Sequence, residues 1–500
     1  MASKRLLLQK PAIVPPLHPR FIPVSLGNTV FEEAAESSSG YKIRVAYQRD
    51  ENQIVHSTFH ILPQWHTHAD DNLEFTVDRL TSDIMVFGAS DVYFSGPPDL
   101  GAQLRSIFSP GAGRHWVAEV LSKQSYGHFS FNVVAPQEIP EQHEDLFGVG
   151  GRLEGRVIAF DLGASNYKMG ARNGDKIVFL GRFPWKPKET NDPEVLYQAL
   201  RKGFLAAKEA LPDYESVDGS ASGVWVRNRL KIGNMARTVG IEKFNSVIDR
   251  LEREFGVAFT ILNDGNISGL GGALFIKGAR GALAETFGSD EGGGYANLDG
   301  KMDSRLWELA FPRVDRYLYA PTDDWSHMPG IGGLYHSQRA ITYLIPQSGI
   351  KDTEIRDALR KVDYQGYSYK EGDEIKPDCA LIATRYMAQN GDERANDIFR
   401  SIAIIWGYSL PERLRYCDAS HVAIMGRVAE GIGGEIITAG AQEVLSSFDR
   451  YRHVHIVNTE ASGYAQMLHP IVTSAAKQFE MPTADVFQVI AATTLSGAKK

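Results

Sequence analysis

RVIAFDLGASNYKMGARNGDKIVFLGRF, residues 156–183, decides the fold class of this chain. An apolar run carries Asp161 into a turn of small residues, Gly163-Ala164-Ser165-Asn166. A second apolar-polar run follows, and Asn173-Gly174 is a strong short-range signal for a two-residue hairpin. The stretch therefore predicts strand, tight turn, strand, hairpin and third strand. GALAETFGSDEGGGYANLDGK, residues 281–301, repeats this order, with a strand, a polar glycine turn, a strand and an Asp299-Gly300 hairpin. One supersecondary pattern used twice points to two related units, not to a short-period array.

Working outward, Asp192 followed by Pro193 reads as a capped helix start, and the apolar periodicity of VLYQALRKGFLAAKEAL continues it. SVDGSASGVWV reads as a strand, and RNRLKIGNMART as a basic loop holding Arg227, Arg229, Lys231 and Arg237. That loop either favours an acidic acceptor or is simply a solvated cationic surface. Ile241, Phe244, Ile248, Leu251 and Phe255 recur at helical spacing until Gly256. VAFTIL is an apolar strand that stops at Asn263-Asp264, where a glycine-rich helix opens. Residues 350–500 are mainly helical in pattern, interrupted by the strands SHVAIMG and HVHIVN. Residues 1–150 differ from all of this. After a proline-rich start come YKIRVAYQ, NQIVHSTFHIL, NLEFTVDRL, SDIMVFGASDVYFSG, HWVAEVLS and HFSFNVV, which predict a β-rich module. The proline- and glycine-bearing run near 135–155 reads as a linker.

Composition narrows the class. Five hundred residues at ~150 per domain allow two to four domains. Lys+Arg 53 against Asp+Glu 61 leaves a net charge of −8, so no basic excess points to nucleic acid. No apolar run approaches the ~20 residues of a bilayer span, and MASKRLLLQKP breaks at Pro11 before a signal-peptide core develops; a cytoplasmic protein is expected. Two cysteines, Cys379 and Cys417, exclude a disulfide scaffold and a four-cysteine zinc site. His56, His60, His66 and His68 fall close together but match no fixed ligand spacing, and Trp65 beside them fits an aromatic patch; they read as ordinary packed or surface histidines.

Three places could carry chemistry. Asp161 enters a turn whose backbone N–H groups can approach a phosphate, and Lys168 lies just beyond, where a cation would help hold a polyphosphate. Gly288-Ser289-Asp290-Glu291-Gly292-Gly293-Gly294 occupies the equivalent turn of the second unit, and paired hairpins of this kind could grip one nucleotide from both sides. Asn263-Asp264 ends a buried-type strand, where ligands collect in open α/β sheets; Asp264 there is either a general base, a helix cap, or both. Glu308, in LWELAF, either accepts hydrogen bonds from substrate hydroxyls or pairs with Arg305 or Arg313. Gly426 ends the strand of HVAIMGRVAEGIGGEII, before a glycine cluster suited to pass over adenine or ribose.

In order, these pieces resemble the ROK sugar-kinase family of the hexokinase/actin-like ATPase superfamily, over roughly residues 155–445. DLGAS looks like the first phosphate motif, with serine for threonine; ILNDGNISGLGGALF like the sugar and catalytic stretch; GSDEGGGYANLDGK like the second phosphate motif; HVAIMGRVAEG like the adenosine segment. GIGGLYHSQRAI matches the segment in which relatives have Gly-Cys-Leu-Glu. The resemblance implies an α/β, two-lobed actin-like ATPase (ribonuclease H-like) fold, with an additional β-rich N-terminal domain at 1–150. The small lobe spans 155–277 and the large lobe 278–500, its C-terminal helix packing back on the small lobe.

It also implies a kinase transferring the γ-phosphoryl group of ATP to a sugar or polyol hydroxyl. Asp264 is then the base; Asn263, Glu308 and Asn234 contact substrate. Asp161, Gly163, Ser165, Asn166, Lys168, Gly288, Ser289, Gly292, Gly293 and Gly426 hold ATP, with Asp161 on Mg²⁺ through water. A homodimer is the family default.

The departures are specific. The family's zinc histidine is Phe311 here, and its cysteine-rich segment is DDWSHMPGIGG, so no zinc is expected. Tyr335 replaces a glutamate expected on the sugar. Asp290 and Glu291 bring negative charge to a phosphate turn, which needs Mg²⁺ or an outward rotation to compensate. These three residues favour the alternative, a non-catalytic sugar or nucleotide sensor. A polysaccharide-directed enzyme binding glycan through Trp65 and Trp116 is a third reading.

Overall fold

The structure is a computed structural model describing residues 5–50, 52–146, 153–163, 166–362, 372 and 374–495. The first α/β unit is built on a five-stranded sheet. β5 (Arg156–Leu162), β6 (Asn166–Asn173) and β7 (Lys176–Pro184) form an antiparallel meander. Gly174 takes the left-handed conformation (φ +60°) that the Asn173-Gly174 turn requires. β8 (Ser216–Ala221) and β11 (Phe259–Asn263) then join parallel to β5, giving the order β11-β8-β5-β6-β7. Helices α5 (Pro193–Ala210) and α6 (Ile241–Phe255) deliver these two strands. Asp192 caps α5 by accepting from the Glu194 N–H, and Gly256 (φ +73°) ends α6, as their sequences predict.

The second unit repeats the plan with one strand fewer. β12 (Ala282–Phe287) and β13 (Glu291–Ala296) form a hairpin, and β14 (His421–Met425) and β15 (His455–Asn458) lie parallel to β12 in the order β13-β12-β14-β15. The expected hairpin at Asp299-Gly300 does not form. Asn297 closes a local turn with Lys301, and no third strand of a meander follows it directly among the described residues. Around this sheet stand α8 (Gln338–Ser348), α9 (Asp352–Lys361), α10 (Pro377–Gln389), α11 (Glu393–Leu414) and α12 (Gly431–Ser446). This is the two-lobed, actin-like arrangement expected: a shared strand plan used twice. Among the described residues no helix is long and apolar enough to cross a membrane.

Helix α7 (Asp264–Phe275) lies between the units, and its glycines explain how. A Cβ on Gly265 would come within 2.1 Å of the Gly293 carbonyl oxygen, and one on Gly269 within 2.6 Å of Gly294. Helix and β13 therefore touch backbone to backbone, which only glycine permits. On another face, a Cβ on Gly271 would meet the Phe487 ring at 2.5 Å. Phe487 belongs to α14 (Thr483–Ala492), which follows α13 (Pro470–Gln478) and packs on α7, β5 and β6. Burying that ring fully contributes about 1.5–3 kcal/mol.

The N-terminal region has the expected strands β1 (Tyr41–Asp50), β2 (Gln53–Ile61), β3 (Asp91–Ser95) and β4 (Ser130–Val133), in the order β2-β1-β3-β4. It also has helices α1 (Val24–Ser37), α2 (Asp71–Phe87), α3 (Pro98–Ile107) and α4 (Gln124–Tyr126), the last continuing a helical stretch from Trp116. NLEFTVDRL, SDIMVF and HWVAEVLS are thus helical, not strands. Their helical period is concealed because α2 is buried nearly all round. Its Asp78 and Asp83 are buried too, the first on Arg316 and the second on Tyr47 and Tyr416. The 135–146 segment is no free linker either: His143 exchanges backbone hydrogen bonds with Ile54, and Glu144 binds Arg49 and Arg305. Basic residues 229–232 form β10, paired with β9 (Val224–Val226), so the expected basic loop is a hairpin.

Candidate functional site

Cross-strand pairing between β5 and β6 sets Asp161 opposite Lys168, which places both side chains on one face of the sheet. Lys168 Nζ lies 2.8 Å from Asp161 Oδ2 and 3.2 Å from Asp485 Oδ1 at the start of α14. Burial opposes the ammonium charge, but Asp161 and Asp485 outweigh it and hold Lys168 above its ordinary value. The other oxygen of Asp161 accepts from Ser220 Oγ at 2.8 Å. Gly163 closes the turn by donating its N–H to the Asn166 carbonyl at 3.2 Å. Ser165 lies outside the described residues.

Asp264 is the first residue of α7. Asn263 caps the helix by accepting from the Gly265 N–H at 2.7 Å, and its amide donates to the Gly223 carbonyl at 2.7 Å. Asp264 Oδ1 shares that Gly265 N–H at 3.0 Å, so one oxygen of the carboxylate takes part in the helix start. The carboxylate is half-buried and pushed up to about 6, by burial first and then by the charge of Asp161, with the Gly265 N–H and Lys168 pulling the other way. The sequence left capping, catalysis or both open for Asp264; the N-cap residue is its neighbour Asn263, with Asp264 sharing the same N–H.

Two residues that sequence reasoning missed fix the backbone of Asp264. Gln488 of α14 donates to the Asp264 carbonyl at 2.7 Å and to Ser220 Oγ at 2.8 Å, while Ser268 Oγ donates to Gln488 Oε1 at 2.8 Å. A continuous chain therefore runs Asp161–Ser220–Gln488–Asp264. The available signal was one amide in the apolar run ADVFQVIAATTL.

The second glycine turn meets the same point. A Cβ on Gly292 would stand 3.8 Å from Asp264 Oδ1, and Gly293 lies on Gly265. Gly288 closes this turn by donating to the Asp290 carbonyl at 3.0 Å, and Ser289 is exposed at its tip. The acidic residues of the turn are neutralised from behind. Asp290 takes Arg339 at 2.8 Å; Glu291 is buried against Arg413 at 2.5 Å and His336 at 3.1 Å. Arg413 also binds Glu285, which accepts from Trp406 at 2.7 Å. Burial raises Glu285 and Glu291 to about 7 despite Arg413, and together with Arg413 holds His336 well below its ordinary value.

Glu308 lies between Trp307 and Leu309, which pack on Gly293 and so on Gly265 beside Asp264. Its expected alternatives are taken, Arg305 by Glu144 and Arg313 by Glu74, and no hydrogen bond or ion pair to its side chain occurs among the described residues. Burial, then the charges of Asp264 and Asp290, push it up to about 8. Its backbone is fixed by the N-terminal region: Trp307 (φ +52°) and Glu308 donate their N–H groups to the Val86 and Met85 carbonyls at 3.0 and 3.1 Å.

Gly426 (φ +94°) sits where a Cβ would strike the Phe287 carbonyl at 2.7 Å, and its N–H donates to Glu460 at 3.1 Å. Asn234 is exposed and follows Gly233, whose Cα lies close to Gly223. Arg227 and Arg229 of the basic segment turn to Asp50 and Asp249.

Two departures acquire partners. Tyr335 is fully buried, donates to Asp315 at 2.7 Å and packs on His18, so it is part of the scaffold and not of the cleft. Phe311 packs tilted against Trp116 of the N-terminal region at 4.2 Å and edge-on to Trp325 at 5.8 Å, an aromatic cluster where the resemblance would set a zinc ligand. Trp116 is thereby internal, while Trp65 is 74% exposed.

No family model and no curated protein matches the chain. Among solved structures it is similar to a ROK family glucokinase from Streptomyces griseus in complex with glucose and AMPPNP. That pair shows 17% identity over 68% of this chain and 98% of the other, with a TM-score of 0.48. It is similar to a ROK hexokinase from Thermus thermophilus, at 18% identity over 68% and 97% of the two chains and a TM-score of 0.47. A ROK family transcriptional regulator, a homologue of the E. coli MLC protein, matches at 12% identity over 68% and 79%, with a TM-score of 0.45.

Proposed function

We propose that this chain is an ATP-dependent phosphotransferase acting on a hydroxyl of a sugar or sugar-like polyol. One observation carries the reading. Two stretches distant in sequence converge on Asp264: Asp161, before the first turn, is joined to its backbone carbonyl through Ser220 and Gln488, and Gly292, after the second, adjoins its carboxylate.

Asp264 takes the proton of the attacking hydroxyl, and a pKa near 6 keeps it mostly ionised at neutral pH while leaving it a competent base. Glu308 accepts from a neighbouring substrate hydroxyl, and Asn263 and Asn234 line the same side. The turns opening at Gly163 and Gly288 receive the phosphates, and the adenosine lies by Gly426 at the end of β14. Positioning and electrostatics carry such a transfer, with little covalent chemistry asked of the protein.

The donor set also fits a divalent cation held at one remove. Each oxygen of Asp161 already accepts one hydrogen bond, from Ser220 or Lys168, and keeps a lone pair for a metal-bound water. Mg²⁺ held that way supplies charge neutralisation on the phosphates. The three features that favoured a sensor all have structural partners: Asp290 with Arg339, Glu291 with Arg413, Tyr335 with Asp315.

The test is ADP release from Mg-ATP with a panel of hexoses, amino sugars and cyclitols. ADP appearing with one acceptor supports the kinase. Asp264→Asn should then lower kcat by about a thousandfold, the order expected for a positioned base, with AMPPNP affinity retained. Sugar binding without any ADP turns the reading to a sensor, and parental activity in Asp264→Asn removes the assigned base.

A further inference from the structure

A closed circuit of contacts runs through Asp264, and one arc of it belongs to the N-terminal region. The circuit starts at Asn263, whose amide is bonded to the Gly223 carbonyl at the mouth of the β9–β10 hairpin. This hairpin is two-faced. Trp225 and Leu230 sit in the core of the first unit, whereas Val224, with Val226 and Ile232, packs into the core that the N-terminal region shares with the second unit. Helix α4 rests on both strands of the hairpin and ends at Tyr126.

The Tyr126 hydroxyl lies over Gly88, so close that a Cβ there would be 2.3 Å away, and Leu306 covers the same glycine at 3.0 Å. Gly88 ends α2, and the carbonyls just before it hold Trp307 and Glu308. Leu309 and the Trp307 carbonyl then lie on Gly293, which lies on Gly265 beside Asp264. The circuit is complete.

We propose that this ring is the wall of the acceptor pocket and that Tyr126 is a specificity-determining residue, its hydroxyl engaging a hydroxyl of a neutral polyol held by Glu308. The inference rests on the assignment of Asp264 to an acceptor site. Neither Tyr126 Oη nor the Glu308 carboxyl has a hydrogen-bond partner among the described residues, and both residues flank the end of α2, Tyr126 Oη over Gly88 and Glu308 on the Met85 carbonyl. Burial, with Asp50 and Glu308, holds Tyr126 above its ordinary value against Arg49, so it is a neutral donor. Asp264, mostly ionised at neutral pH beside the neutral Glu308 carboxyl, gives the ring a negative charge, which disfavours anionic acceptors.

The experiment is fluorescence titration with glucose, mannose, N-acetylmannosamine, myo-inositol and glucose 6-phosphate, on the parent and on Tyr126→Phe, with ADP release measured in parallel. The parent is expected to bind at least one neutral member and to exclude the phosphate. Tyr126→Phe should weaken that member about tenfold, leave AMPPNP affinity within twofold, and bind the deoxy analogue lacking the engaged hydroxyl as the parent does. A purely structural tyrosine would not show that last coupling. Equal affinities in parent and variant overturn the proposal, and so does a parent that binds no member of the panel. A Tyr126 effect on binding without ADP formation removes the kinase reading and keeps the wall; ADP formation with an unaffected variant does the reverse.

Discussion

The two glycine turns are built alike and handle charge in opposite ways. At the first, Asp161, Lys168 and Asp485 stay together on the cleft side, tied to one another. At the second, the acidic side chains are turned to the rear and neutralised by Arg339 and Arg413. The first keeps a lysine among its carboxylates, whereas the second ties its carboxylates to arginines of α8 and α11. A motif read as a string of residue types cannot make this distinction, because it depends on which face of the hairpin each side chain leaves.

The sharpest way to break the comparison is Arg413→Met. It strands Glu285 and Glu291 inside the protein without a cation, and a loss of about 3–5 kcal/mol is expected, seen as a large drop in Tm. An unchanged Tm would mean the rear network is not what neutralises the turn. Lys168→Met should come next, leaving Asp161 and Asp485 to repel phosphates; kcat/KM for ATP should fall about 10–100-fold, roughly 1.4–2.7 kcal/mol.

The pH profile sharpens the point from the base between the turns. Asp264 gains its proton as pH falls through about 6, so kcat should decline below that value, and the decline is read from initial rates at saturating substrates. The same raised value means that the folded chain holds this proton more tightly than the unfolded one. Stability from this group is therefore present at low pH and lost as pH rises from about 4 through 6. Asp264→Asn should flatten that part of a Tm-against-pH curve. The smallest effect belongs to Asp290→Asn, whose charge already faces Arg339; less than a twofold change in KM for ATP is expected.

What could be read beforehand followed physical rules of local reach. Asn173-Gly174, the Asp192 cap with Pro193 and the Gly256 stop are all short-range signals, and each element formed as its residues dictate. The N-terminal helices escaped because period analysis assumes that polar residues face water, whereas Asp78 and Asp83 of α2 face buried partners. The position of Glu308 was legible as a carboxylate among apolar residues, but not what holds it, since its supports, Met85 and Val86, lie more than 200 residues away. Gln488 and Asp485 were missed for the same reason: a C-terminal helix returns to the first sheet, and no local pattern announces a return.

The bare-backbone contact between α7 and β13 has a mechanical consequence. With no side chains between Gly265 and Gly293, there is nothing there to compress or slide, so proton acceptor and second turn travel as one rigid body. Any narrowing of the cleft on loading must come from the opposite bank, the Asp161–Lys168 edge swinging toward a fixed jaw.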